Sequence, residues 1–248
     1  MDVSRSRHDN TGSPISASAA LPLIESPSES YVPRKRKTDD RPLRRPTESS
    51  PAVATEIRII GGKFRGRRLR YHGDPIVRPM KHRVREAIFN LISTNAEGRH
   101  VVDLFAGTGA LGLEAISRGA AHATLIEKHV PTARLVEENI RALELENQTT
   151  LLVTSAFLWA KRDLPALNSQ PSTLDQSNPP WLIFCSPPYS FFIERQEETL
   201  DLICRIQQQA PPDSIIVMES DERFDLTLLG PGWDIRPYPP AIVALWRK

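Results

Sequence analysis

The sequence predicts an α/β fold, a mostly parallel sheet covered by helices on both faces. Three observations predict it. From Val101 onward, short apolar runs of strand type alternate with stretches of helical periodicity. The first run feeds directly into a glycine-rich turn, Ala106-Gly107-Thr108-Gly109-Ala110-Leu111-Gly112. The second ends on an acid, Glu127, 20 residues after Gly107, the arrangement in which a parallel sheet holds a nucleoside beyond its strand ends.

Taken in chain order, residues 1 to 55 are rich in Ser, Pro and charge. They carry too little apolar surface to offset chain entropy, so a disordered tail is expected. Arg and Ser are also plentiful in targeting peptides, but Asp2, Asp9 and Glu25 argue against an acid-poor transit sequence. At Glu56 the texture changes. Ile57, Ile59 and Ile60 read as a short strand ending at Gly61 and Gly62, and Lys63 to Leu69 as the continuation of a small basic hairpin. His82 to Ser93 sets Val84, Ala87, Ile88, Leu91 and Ile92 on one helix face and Arg83, Arg85 and Glu86 on the other. Residues 56 to 96 are therefore expected to form a basic extension of the main domain, 97 to 248.

In that domain, strands are expected at 101–105, 123–127, 151–154, 181–185 and 215–219. Two more lie between Trp233 and Trp246, around Pro237, Pro239 and Pro240. Between them fall a helix from Ala110 to Ser117 closed by Gly119, one opened by Pro131, one near 157–164 and one near 197–208.

With 248 residues and 40% apolar content, one sizeable core is expected. No run approaches the roughly 18 apolar residues of a membrane span. Cys185 and Cys204 lack the spacing of a metal knuckle or redox pair, so no metal and a reducing cytoplasmic setting are expected, for a monomer without a membrane partner. The net charge of +2 hides an asymmetry. Between Arg34 and Arg85 there are 17 Lys or Arg against 5 Asp or Glu, and 15 against 25 elsewhere. A basic edge beside an acidic body suits a polyanion such as nucleic acid.

A glycine turn followed by an acid is shared by dinucleotide and S-adenosylmethionine sites, so the glycines alone do not choose. Asp103, four residues before Gly107, favours S-adenosylmethionine: a carboxylate there serves the ligand's ammonium group, directly or through water, whereas a pyrophosphate gains nothing from it. The candidate cofactor residues are Asp103, Phe105, Gly107, Thr108, Gly109, Glu127, and Ser155 with Ala156 at the next strand end, facing the adenine edge. At the end of the fourth strand, Ser186-Pro187-Pro188-Tyr189 follows Cys185. A rigid Pro-Pro turn presents oxygen acceptors to an amine and a tyrosine ring for stacking on a base. Such acceptors matter because the lone pair of an exocyclic base amine is delocalised into the ring.

An acid, a glycine loop and a [DNS]-PP-[YF] tetrad together resemble the amino-methyltransferases that act on adenine, guanine or glutamine side-chain nitrogen. The upstream motifs narrow the likeness: Arg58-Ile59-Ile60-Gly61-Gly62, Arg65-Gly66-Arg67, Arg78-Pro79 and Arg83-Val84-Arg85-Glu86-Ala87-Ile88-Phe89-Asn90. They resemble the RsmD family of rRNA guanine-N2 methyltransferases from about Glu56 to the C-terminus. The resemblance implies a seven-stranded Rossmann-like class I sheet with S-adenosylmethionine as cofactor. It implies as substrate a guanine in 16S rRNA, within the assembling small ribosomal subunit. It implies RNA contacts at Arg58, Lys63, Arg65, Arg67, Arg78, Arg83 and Arg85, and a target base held by Ser186, Pro187, Pro188 and Tyr189. Two departures touch this pattern: Ser186 stands where the family carries Asp, and Met80-Lys81-His82 where it shows Thr and Asp before the Arg. His82 is then a general base or, as a lone histidine on a basic helix, a phosphate contact or surface residue. Other readings are adenine-N6 or protein glutamine as target, an RNA-binding relative that has lost catalysis, and a nicotinamide oxidoreductase, which Asp103 disfavours.

Overall fold

The computed structural model describes residues 57–71, 73, 79–167 and 179–248; the expected tail at 1–55 and Arg78 lie outside them. Its centre is a seven-stranded sheet. The strands are β3 (His100–Asp103), β4 (His122–Ile126), β5 (Thr149–Leu152), β6 (Trp181–Cys185), β7 (Ile215–Asp221), β8 (Trp233–Tyr238) and β9 (Ala241–Arg247). They lie in the order β5-β4-β3-β6-β7-β9-β8. The first five strands are parallel, and β9 pairs antiparallel with both β7 and β8.

This order follows from how the strands are built. Val101 and Val102, then Leu182, Ile183, Phe184 and Cys185, are all buried, and successive residues enter opposite cores. That is the period of two of a strand covered on both faces. One core takes Val101, Leu182 and Phe184 with helices α2 (Ala110–Ser117) and α3 (Val130–Ala142). The other takes Val102, Ile183 and Cys185 with α4 (Ala156–Arg162) and α7 (Gln196–Gln209). The expected elements are present with ends shifted by one or two residues. The expected helix near 157–164 closes at Arg162, and a separate turn, α5 (Leu164–Leu167), follows. Two elements have no counterpart in the sequence reading: α6 (Phe191–Glu194) and a single 3-10 turn at Leu226–Leu229, each four residues long and too short for a periodic signal.

The basic hairpin forms from β1 (Ile57–Arg58) and β2 (Arg68–Leu69), paired antiparallel. Ile57, Ile59 and Leu69 enter the same core as Val84, Ile88, Phe89 and Ile92 of α1 (His82–Ile92). Polar bonds fix the hairpin to α2. Glu114, with no solvent exposure, accepts the backbone N–H groups of Ile60 and Gly61, each at 2.7 Å. Ser117 donates its hydroxyl to the Gly61 carbonyl and accepts the Phe64 N–H, while its own carbonyl accepts Lys63 N–H. Gly62 sits at φ +75, and a Cβ there would lie 1.8 Å from the Ser117 oxygen, so no side chain fits. Below the hairpin, buried Asn139 accepts Arg70 N–H at 2.7 Å and donates to the carbonyls of Arg70 and Thr108.

Arg85 corrects the sequence reading. Periodicity puts it on the exposed face of α1 as an RNA contact, but it is 2% exposed. Position 85 shares a stripe with Ile88, Phe89 and Ile92. Its guanidinium donates to the Arg58 carbonyl at 2.6 Å and faces Glu114 at 3.9 Å. A buried carboxylate, far off in sequence, offsets part of the cost of burying the arginine.

Candidate active site

The chain runs outward from β3 to β4 and β5 on one side and returns to β6 and β7 on the other, so the sheet reverses order between β3 and β6. Loops leave this point in opposite directions and open a crevice at the carboxyl ends of the strands. A cleft of about 440 Å³ occupies it. Phe105, Gly107, Thr108, Glu127, Ser155, Ala156, Ser186, Pro187, Pro188 and Tyr189 all line this one cleft. Residues chosen from four separate segments of sequence thus converge on one space.

The glycine loop is shaped for close approach. Gly107 and Gly109 have φ of +52 and +77, and Gly109 is the N-cap of α2. The Glu127 carboxylate accepts the Gly107 N–H at 3.0 Å and the His129 N–H at 2.7 Å, which sets both turns around one acid at the rim. Asp103 and Gly109 stand behind the wall, outside the lining residues. Asp103 is 1% exposed; burial pushes its carboxyl up to about 7, against the pull of the Gly112 and Phe105 backbone N–H groups. One of its oxygens accepts Gly112 N–H at 3.2 Å, and the other has no well-formed hydrogen bond among the described residues. A buried, half-satisfied carboxyl beside a glycine loop fits a ligand that brings a cationic donor.

Residues that sequence reasoning passed over complete the cleft. Phe157 and Phe191 meet Phe105 with ring centroids about 6 Å apart, and the Arg195 guanidinium lies 4.0 Å over Phe157. These rings, packed edge-to-face and tilted, give the cleft an apolar wall next to Ser155 and Ala156. On the opposite side Tyr189 donates its hydroxyl to Glu219 at 2.8 Å, and Arg223, paired with Asp221 at 2.6 Å, borders the mouth. Met80 and Lys81 line the wall on the α1 side. Glu219, Arg195 and Arg223 carry no motif; only strand order brings them in. Cys185, beside the tetrad, is buried, and its thiol is pushed up to about 12, an inert strand residue.

Away from the cleft, Arg58, Lys63, Arg65, Arg67 and Arg83 are exposed, joined by Arg68 and Arg70. Arg67 also donates to the Ala142 carbonyl at 2.6 Å. His82 is exposed, lies 3.9 Å from Glu86 and falls outside the residues that line the cleft.

The family model described as "Conserved hypothetical protein 95" matches residues 57–236. The chain belongs to this family. It is 31% identical over 180 residues to the Ribosomal RNA small subunit methyltransferase D of Escherichia coli K12, covering 73% of this chain and 82% of that protein. The protein of the same name from Haemophilus influenzae is 28% identical over 176 residues, with 70% and 83% covered. Among solved structures, yhhF of Escherichia coli superposes with a TM-score of 0.60 at 28% identity, over 78% of this chain and 98% of its own. The hypothetical protein TTHA0928 of Thermus thermophilus gives 0.60 at 25%, over 77% and 99%. The Rossmann-like seven-stranded class I fold expected for the family is the fold observed.

Proposed function

We propose that this protein methylates the exocyclic N2 amine of a guanine in small-subunit rRNA, with S-adenosylmethionine as methyl donor. The observation that carries the reading is the meeting, in one cleft at the sheet's reversal point, of a glycine loop anchored by Glu127 and a Ser-Pro-Pro-Tyr turn backed by Glu219. Its membership of a family whose relatives are named rRNA methyltransferases supports the same reaction.

S-adenosylmethionine supplies an activated methyl group on sulfur. The chain's residues do the rest. Gly107 and Gly109 let the backbone approach the donor, Glu127 accepts from its ribose hydroxyls, and Ser155 and Ala156 meet the adenine edge. Asp103, behind the wall, serves the ammonium group directly or through water. Ser186 and the Pro187 and Pro188 turn fix the position of the target amine, and Tyr189 stacks on the base, a contact worth roughly 1–3 kcal/mol. Turning the base into the cleft costs about a few kcal/mol. Arg58, Lys63, Arg65, Arg67 and Arg83 hold the phosphate backbone; Arg78 belongs to the same basic stretch.

Among the described residues no helix is long and apolar enough to cross a membrane. The site of action we infer is the cytoplasm, on an assembling small subunit, by a monomer. The test is transfer of labelled methyl from S-adenosylmethionine to unmethylated small-subunit particles and to naked rRNA, followed by nucleoside analysis. N2-methylguanosine is the expected product; N6-methyladenosine would reassign the target.

A further inference from the structure

Methylation of an amine leaves a proton to be removed, and the tetrad itself offers no carboxylate, because its first residue is Ser186. Among the described residues lining the cleft, two carry carboxyl groups, Glu127 and Glu219. Glu127 is engaged with the backbone N–H groups of Gly107 and His129 at the end of β4, on the glycine-loop side. Glu219 belongs to β7, the strand beside β6. The register that pairs Cys185 with Met218 brings the next residues, Ser186 and Glu219, level with each other where β6 ends, while β7 runs on to Asp221. Glu219 is 8% exposed, and its Oε1 accepts the hydroxyl of Tyr189, the last residue of the tetrad. The tetrad is therefore flanked at its first residue and hydrogen-bonded at its last by the same acid.

Resting on the methyl-transfer reading above, we propose that Glu219 is the carboxylate that receives the target amine. It accepts an N–H of guanine N2 and takes the proton released on methylation. The nitrogen lone pair forms the new bond to the methyl carbon as the carbon–sulfur bond breaks and its electron pair stays on sulfur. The nitrogen then returns to neutrality by passing one hydrogen to the Glu219 carboxylate, which releases it to water. The hydrogen bond from Tyr189 aims the carboxylate and holds the ring edge at the same time. A guanine presents N–H donors along this edge, where adenine has a ring-nitrogen acceptor, so the same acid selects the base.

The test uses the full chain as wild type, Glu219→Gln, and Glu219→Gln combined with Ser186→Asp. Glutamine keeps an oxygen for the Tyr189 hydroxyl, so a purely structural Glu219 would be satisfied by it. On rRNA, Glu219→Gln is expected to lower kcat by roughly 100-fold or more, the scale of a lost proton acceptor, with unchanged affinity for S-adenosylhomocysteine. The added Ser186→Asp restores part of the rate by returning a carboxylate at the level position. A second readout needs no turnover: wild type should bind guanosine monophosphate roughly tenfold or more tightly than inosine monophosphate, which lacks the N2 amine, and Glu219→Gln should lose that preference. Wild type that labels rRNA while Glu219→Gln labels it as fast overturns this inference and leaves the methyl-transfer reading standing. Wild type that labels no RNA overturns both.

Discussion

Glu114→Gln tests how the hairpin is held to the fold. The substitution keeps the shape of the side chain and removes its charge. Glu114 has no exposed surface, and Arg85, which faces it at 3.9 Å, is 2% exposed, so the change leaves a guanidinium buried without its counter-charge. Burial already lowers the Arg85 pKa, and Glu114 is what opposes that shift. Breaking a buried pair on one side costs about 3–5 kcal/mol. The amide also presents an N–H₂ where an oxygen now accepts from Ile60 N, Gly61 N or Arg118 Nε. These bonds share one network, so their losses overlap rather than add. For a domain of this size about 2–4 °C of melting temperature accompanies each kcal/mol, which gives a fall of roughly 6–20 °C by calorimetry. Limited trypsin digestion at 37 °C should then cut within the hairpin, after Arg65 or Arg67, faster than in wild type. The double variant Arg85→Met with Glu114→Leu should recover part of the loss, because it removes both charges together. A Glu114→Gln melting temperature within about 2 °C of wild type would refute the reasoning.

Three further outcomes follow from the same structure. Gly62→Ala should lower the melting temperature by several degrees and weaken RNA binding, since the new Cβ meets the Ser117 oxygen at 1.8 Å and backbone cannot yield cheaply. Replacing Lys63, Arg65 or Arg83 by Ala should each lower the salt slope of RNA binding by about one, in titrations across salt, while Arg85→Met should leave the slope alone and lower stability. Asp103 titrates at about 7 when folded against an ordinary 3.8. A raised pKa adds stability that is full below about pH 4 and is lost as pH rises toward 7, so unfolding free energy should decline across that window. In Asp103→Asn this decline should be absent, and denaturant titrations at pH 4.5, 5.5 and 7 that match for both proteins would contradict the shift.

The parts of the site that were legible in the sequence are those whose chemistry is contiguous. Gly107 to Gly109 and Ser186 to Tyr189 declare themselves within a few residues, and Glu127 is fixed by the length of one strand-helix-strand unit. Glu219 was not legible, because nothing near it in sequence says that β7 lies beside β6 or that its register brings it level with Ser186. Arg195 and Arg223 share that difficulty: each reaches the cleft from beyond a strand end, one after α6 and one after β7. Arg85 is misread for a related reason. Its place on α1 is compatible with either face at the resolution of a periodic pattern, and the deciding partner, Glu114, lies 29 residues on and itself reads as one more polar residue of a helix. Strand and helix types were readable because apolar periodicity is local, whereas sheet order and buried charge are not.

Asn139 joins two regions that the chain otherwise keeps apart. One amide group holds the backbone at Arg70, the root of the basic hairpin, and the carbonyl of Thr108, in the glycine loop proposed to hold the methyl donor. Order gained at either end is then shared by the other, and thermodynamic reciprocity requires the two effects to be equal. A polynucleotide that steadies the hairpin should raise affinity for S-adenosylhomocysteine by the same factor by which that nucleoside raises affinity for the polynucleotide. Calorimetry of each ligand with and without the other measures the factor, and Asn139→Ala should bring it toward one. Such linkage would make encounter with RNA and loading of the donor a concerted event.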